Sequence, residues 1–136
     1  DKRVGKQAEI DILNTSDIVV SLIPQRAKKI EKIQKMIDEG KILNEQKTVL
    51  AIGKYMENTK YNAKNITRNL LRKKDIISTI PYNNLFFEAT QEGTVIDLFL
   101  NFMRIKEKDE NYNFVSEIKS LNEVIKGKIE ILRMMR

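Results

Sequence analysis

Three short apolar runs, each followed by a segment with helical spacing, restrict what this chain can fold into more than any other feature. The runs are Ile18–Ile23, Thr48–Ile52 and Ile76–Ile80. The first run is rich in β-branched residues and stops at Pro24. A continuous apolar run of this length is typical of a strand that is buried on both faces. We therefore expect Ser21, Leu22 and Ile23 to lie in a central strand of a parallel sheet.

The segments between the runs have apolar residues at the spacing of a helix. Helices are expected before Ser16, over Gln25–Gly40, Tyr61–Leu71 and Leu85–Glu92, and from Thr94 onward. Gly40 and Gly93 supply the residue type that commonly ends a helix, and Asn83-Asn84 offers a side-chain cap for the start of another. Alternating strands and helices predict an α/β fold, in which right-handed crossover helices connect a parallel sheet.

The end of the chain differs from the rest. Arg104–Asn111 is a charged linker, and Tyr112–Arg136 predicts a long helix with one apolar face. That face comprises Phe114, Ile118, Leu121, Ile125, Ile129 and Leu132. We therefore divide the chain into an α/β domain of residues 1–104 and a linker with an amphipathic helix over residues 105–136. The apolar face either packs on the same domain or binds a partner helix or a membrane surface.

Composition excludes several kinds of site. The chain has no cysteine and no histidine, which removes disulfides, thiol nucleophiles, most zinc sites and any Ser-His-Asp triad. Its formal net charge of +6 favours an anionic partner such as a nucleotide, a nucleic acid or a lipid surface. No apolar run approaches the roughly 18 residues of a membrane-spanning helix. We therefore expect a cytoplasmic protein.

Polar and aromatic residues follow each predicted strand. The three segments are Pro24-Gln25, Gly53-Lys54-Tyr55 and Pro81-Tyr82-Asn83. Ligands of open α/β sheets bind beyond the carboxyl ends of the strands, and the ends of neighbouring parallel strands lie about 5 Å apart. We therefore expect Lys54 and the loop Pro81–Asn83 to line one cleft. The alternative is that Tyr55 and Tyr82 only plug that end of the sheet.

The order and spacing of these motifs resemble the C-terminal half of MinD/ParA-like P-loop ATPases, which have a deviant Walker A motif. The similar segments are Asp1–Gly5 (D-x-x-x-G), Ser16–Val20, Thr48–Tyr55, Ile80–Asn83 (I-P-x-D) and Glu88–Val95. The resemblance covers roughly residues 1–104. The chain departs from the family pattern at three places: Gly53-Lys54 replaces Asn-Arg, Asn83 replaces Asp, and Thr94 replaces Pro.

The resemblance implies a partial P-loop NTPase fold whose phosphate-loop half is missing from this sequence. It implies ATP or ADP with Mg as the ligand, Asp1 near the metal, Gly5 in a switch loop, and Lys54, Pro81, Tyr82 and Asn83 around the adenine. It also implies a homodimer that positions DNA, a cargo protein or membrane-bound machinery. Hydrolysis would require the phosphate loop, so the isolated chain is expected to be inactive.

Two other functions fit the sequence. The first is a non-catalytic regulatory or assembly protein of the same fold. The second is a small nucleic-acid-binding module, because the segment from Lys60 to Lys74 has six basic residues and no acidic one. Within it Lys64, Arg68 and Arg72 step by four and share a helix face. Under any of these functions, a three-stranded sheet leaves an apolar edge that a partner chain or a missing half should cover.

Overall fold

The structure, a computed structural model, describes residues 2–40, 43–68 and 77–136. Its helices are α1 (Lys2–Thr15), α2 (Ala27–Glu39), α3 (Ala63–Ile66), α4 (Asn84–Glu92), α5 (Val95–Phe102) and α6 (Tyr112–Met134). Its strands are β1 (Val19–Pro24), β2 (Thr48–Tyr55) and β3 (Ser78–Pro81), and a 3-10 turn at Glu45–Lys47 precedes β2. The protein is therefore α/β, as the alternation of elements predicts.

The described strands form one parallel sheet in the order β1-β2-β3. Val19 pairs with Thr48 and Ile23 with Ile52, so β1 runs alongside the first part of β2. Ala51 pairs with Ser78, so β3 lies on the other side of β2. The parallel pairing is confirmed, whereas the prediction that β1 is central is wrong, because β2 takes the central position.

The prediction that β1 is buried on both faces is also wrong. Ile23 is buried, but Val20 is 43% exposed and Leu22 is 62% exposed. Successive side chains of a strand point to opposite faces, and α2 packs against β1 on the face that carries Ile23. Among the described residues, Val20 and Leu22 have no comparable cover. The apolar run reflects how well this strand would tolerate two-sided burial, not the burial that it has here.

The main core lies between the sheet and the helices α2 and α3. Its buried members are Ile23, Ile30, Ile52, Tyr55 and Ile66. Ile30, Ile52 and Ile66 are each only 1% exposed, so three different elements insert an isoleucine into one cluster. Burial of each such side chain stabilises the fold by about 1.5–3 kcal/mol before entropy is counted.

The helix α6 packs against β3 and extends to β2 and the 3-10 turn. Phe114 and Val115 of α6 join Phe102 in a second buried cluster, against which Phe86 and Phe99 also pack. Two polar contacts add to this packing. The Thr79 hydroxyl donates a hydrogen bond to Glu117 Oε2 at 2.7 Å, and Lys128 Nζ donates to the Glu45 carbonyl at 2.7 Å. The C-terminal helix therefore packs on the same sheet as the rest of the chain.

The helix ends follow the sequence signals. The helix α2 ends at Gly40 (φ 62°) and α4 ends at Gly93 (φ 73°), both in the left-handed conformation that glycine adopts readily. The expectation of a switch loop at Gly5 does not hold, because Gly5 lies inside α1. The ammonium of Lys47 stabilises the end of α1 by donating to the Leu13 carbonyl at 2.7 Å and the Ser16 carbonyl at 3.1 Å.

Candidate ligand site at the carboxyl edge of the sheet

A β-bulge shapes the carboxyl end of β2. Ile52 pairs with Thr79, but Tyr55 pairs with Pro81, so β2 contains one more residue than β3 over this interval. Bulges redirect side chains and often lie next to functional sites. Here the bulge brings Lys54, which is exposed, to the edge of the sheet beside the end of β3.

Lys54 has a backbone conformation that its residue type disfavours. Its φ is +51°, and it is the only non-glycine residue in the described ranges with a positive φ. The left-handed region costs a residue with a side chain about 1–2 kcal/mol. Such strain is concentrated at ligand-binding and active sites, where the surrounding structure maintains it. The backbone therefore marks the same residue that the sequence indicates as a ligand contact.

Tyr55, the next residue, points into the protein. It is buried, and its hydroxyl oxygen accepts a hydrogen bond of 2.6 Å from the backbone N–H of Ala63, at the start of α3. Burial raises the pKa of the Tyr55 phenol, and a hydrogen bond with Glu57 raises it further. Tyr55 therefore fills that end of the sheet and fixes α3, whereas Tyr82 is 51% exposed and does not.

Asn83 has two structural tasks. Its side-chain oxygen accepts a hydrogen bond of 2.9 Å from the Phe86 N–H, which caps α4 as the sequence predicts. Its amide nitrogen donates to Asn111 Oδ1 at 2.8 Å, and the Asn111 N–H donates to Asp109 at 2.8 Å. Because the side chain of Asn83 is already engaged at both ends, a ligand at this loop would meet its backbone instead.

The pairing of β2 with β3 brings the predicted base-contacting residues, Lys54 and Pro81–Asn83, to one edge of the sheet. Lys64 and Arg68 are exposed on α3 and just after it. Two predicted site residues lie outside the described residues: Asp1, expected near the metal, and Arg72, expected to contact DNA together with Lys64 and Arg68. In the described ranges no three acidic, histidine or cysteine side chains form a group that could hold a metal ion.

Gln25 is a residue of this edge whose partners could not be predicted from the sequence. Its side-chain oxygen accepts a hydrogen bond of 2.9 Å from the Met56 N–H, and its amide nitrogen donates to the Met56 and Tyr61 carbonyls at 3.0 and 2.9 Å. The signal that was available is its place directly after Pro24, at the carboxyl end of β1. Its partners are more than 30 positions away along the chain, and no local pattern identifies them.

A second concavity lies away from this edge, between α5 and α6. It is an apolar groove of about 340 Å³, lined by residues that include Phe99, Val115 and Ile118. Ile96 and Met103, which also line it, are 77% and 75% exposed. The sequence predicts a helix from Thr94 onward but does not predict that a groove forms beside it.

Comparison of the chain with protein-family models, with curated proteins and with solved structures found no match. No helix in the described parts of the chain combines the length and the apolar character needed to cross a membrane. Because a fold hosts many functions, the function must be argued from the site itself.

Proposed function

We propose that this chain is the base-binding part of an ATP-binding α/β domain, similar to the C-terminal half of MinD/ParA-like P-loop ATPases. The observation that carries the proposal is the bulge at the end of β2, with strained Lys54 beside the loop Pro81–Asn83. Ligands of open parallel sheets bind beyond the carboxyl ends of strands. A cation and a rigid proline at such an edge can both contact the face of a planar base.

Each group has a specific task in this proposal. The Lys54 ammonium lies over the face of the adenine ring, where the π-system attracts a cation. Pro81 gives the ring an apolar contact, and the backbone near Asn83 forms hydrogen bonds with the edge of the base. The cap from Asn83 to Phe86 and its bond to Asn111 hold that backbone in one orientation.

The phosphates require groups beyond the described site. The proposal therefore requires a phosphate loop and Mg contacts from outside the described residues, with Asp1 on the metal side as the resemblance implies. Two features of β1 support a joining surface of this kind. It is an outer strand of the described sheet, whose unpaired edge is usually covered, and Val20 and Leu22 leave an apolar face exposed. Hydrolysis, dimerisation and the positioning of DNA or cellular machinery belong to that complete domain.

Nucleic acid is the second candidate ligand. Lys64 and Arg68 are exposed, and Lys60 Nζ lies 5.4 Å from the centroid of the Tyr61 ring, so cations and an aromatic ring share this surface. Such surfaces can bind single strands by stacking and charge. Salt separates the two candidates, because phosphate contacts weaken steeply as salt rises and contacts to an uncharged nucleoside do not.

The experiment is a titration of the isotope-labelled chain with adenosine, guanosine and a single-stranded DNA, followed through backbone amide chemical shifts. Adenosine should shift the amides of Lys54, Tyr82 and Asn83, with little response to salt. Lys54→Ala should weaken adenosine binding, and the matched control Lys64→Ala should not. Shifts confined to residues 60–68, or seen only with DNA at low salt, would contradict base binding at the β2–β3 edge and favour the nucleic-acid candidate.

A further inference from the structure

The loop of residues 56–62, which connects β2 to α3, is fastened to the end of β1 by one side chain. Gln25 accepts a hydrogen bond from the Met56 N–H and donates to the Met56 and Tyr61 carbonyls, at 2.9 to 3.0 Å. The two bonds to Met56 engage both the N–H and the carbonyl of one residue, which is how a residue of a neighbouring strand would pair with it. Gln25 thus continues the pairing of β1 with β2 beyond the last residues of the strands.

Tyr55, the last residue of β2, fixes the start of α3, which directly follows this loop. The Tyr55 hydroxyl accepts a hydrogen bond from the Ala63 N–H at 2.6 Å, and within the loop the Tyr61 N–H donates to the Thr59 hydroxyl at 3.1 Å. Both anchors come from the sheet, one from the end of β1 and one from the end of β2. The loop is therefore held at the carboxyl ends of β1 and β2.

We propose that Gln25 is a positioning residue of the carboxyl-edge site. It closes the 56–62 loop over β1 and β2, and through Met56 it restrains the backbone at Lys54, two residues earlier. The part of this inference that concerns a ligand rests on the proposed function: the closed loop confines the nucleoside to the side of Lys54 that faces Pro81–Asn83. The part that concerns the loop stands on the hydrogen bonds alone.

The amide of Gln25 matches the hydrogen-bonding groups that surround it. A glutamine amide provides an acceptor and two donor hydrogens on one rigid plane, which is what the Met56 N–H and the two carbonyls require. Glutamate has the same length but has no donor when ionised, so it would face two carbonyl oxygens. Alanine removes all the bonds. The two substitutions therefore separate the loss of hydrogen bonds from the loss of side-chain volume.

The test compares Gln25→Ala and Gln25→Glu with the control Lys28→Ala, an exposed position on α2 one turn further along the chain. Amide hydrogen exchange reports local opening, since protected amides exchange only when their bond opens. Exchange of the Met56 amide should become at least tenfold faster in Gln25→Ala, which removes its acceptor, and the Lys54 amide chemical shift should move in both Gln25 variants. The control should change neither, and Ile30 in the core should keep its protection in all three.

Adenosine affinity is then measured in the same variants. If the wild-type chain binds adenosine, affinity should fall at least fivefold in both Gln25 variants at an unchanged melting temperature. Wild-type affinity in a variant whose loop opens faster would overturn the positioning role of Gln25. Unchanged exchange of the Met56 amide in Gln25→Ala would show that Gln25 does not hold the loop. If the wild-type chain binds no adenosine, the proposed function and the ligand part of this inference fail together, and the exchange data still decide whether Gln25 holds the loop.

Discussion

The strands β1 and β3 lie on either side of β2, and they differ in what covers them. The strand β1 is almost wholly apolar, yet Leu22 is 62% exposed. The strand β3 is short and half polar, yet Ser78 and Thr79 are 7% and 9% exposed. The helix α6 accounts for the burial of Thr79, because it packs against β3 and supplies Glu117 as the hydrogen-bond partner of that hydroxyl.

The comparison shows that the burial of a strand depends on the element that packs on it, not on the strand's own hydropathy. Thr79 can be buried in β3 because Glu117 satisfies its hydroxyl. The apolar residues of β1 suit a strand with cover on both faces, and the described chain supplies cover on one. In the proposed function, β1 is where the rest of the nucleotide-binding domain joins, and β3 is the strand that α6 covers.

The largest expected effect comes from removing the cover of β3. Phe114 is 3% exposed, and its ring lies 5.5 Å from that of Phe86 and 6.1 Å from that of Phe102. Phe114→Ala should lower the free energy of unfolding by about 3–5 kcal/mol, because it leaves a cavity in the aromatic cluster. Denaturant unfolding measures this, with Phe87→Ala as the control at a half-exposed ring. Equal costs for the two substitutions would show that α6 is not a structural cover.

The next effect isolates the polar contact between β3 and α6. Thr79→Val keeps the shape of the side chain but removes the donor to Glu117, and should cost about 1.5–3 kcal/mol as a bond to a charged group. Thr79→Ser keeps the hydroxyl and serves as the matched control. If valine proved no more costly than serine in chemical denaturation, the hydrogen bond would not contribute to holding α6.

The third effect depends on pH and involves Tyr55 at the end of β2, the strand between β1 and β3. Burial, then a hydrogen bond with Glu57, raises the pKa of its phenol, and Glu117 on α6 adds to the rise. The folded state therefore holds the phenol proton more tightly than the unfolded state does. The resulting stabilisation of the fold is complete below the ordinary tyrosine pKa of about 10. It is lost as the pH rises through the higher pKa of the folded state. Above pH 10, unfolding free energy should fall more steeply for the wild type than for Tyr55→Phe. Parallel pH profiles would contradict this prediction.

The smallest effect is expected on the open face of β1. Leu22→Ala should lower the free energy of unfolding by less than about 1 kcal/mol, as substitutions at exposed positions do. Replacing the buried neighbour, Ile23→Ala, should lower it by about 2–5 kcal/mol. Thermal and denaturant unfolding of both variants measure the ratio. A large cost at Leu22 would mean that its face is covered in solution, for example by association of chains.

Much of the fold follows from local signals. Gly40 and Gly93 end their helices, and Asn83 caps α4, because each position has a backbone requirement that the residue type reveals. The exposure of β1 could not be predicted, since hydropathy reports what a strand tolerates and not what packs on it. At the candidate site, Lys54 and the Pro81–Asn83 loop could be placed by topology. Gln25 and the left-handed backbone of Lys54 depend on long-range bonds and a bulge that no short pattern encodes.

Adenosine affinity of Lys54→Gly, measured by calorimetry together with the melting temperature, tests whether the strained lysine binds a base. Glycine adopts a positive φ without steric cost, so the substitution removes the strain together with the cation, while Lys54→Ala removes the cation and keeps the strain. If Lys54 is held at this edge to bind a base, Lys54→Gly should bind adenosine much more weakly. It should be at least as stable as the wild type, because the relief of about 1–2 kcal/mol of strain outweighs the entropic cost of glycine, roughly 0.5–1 kcal/mol. Wild-type affinity in the glycine variant would show that the strained lysine does not contribute to base binding.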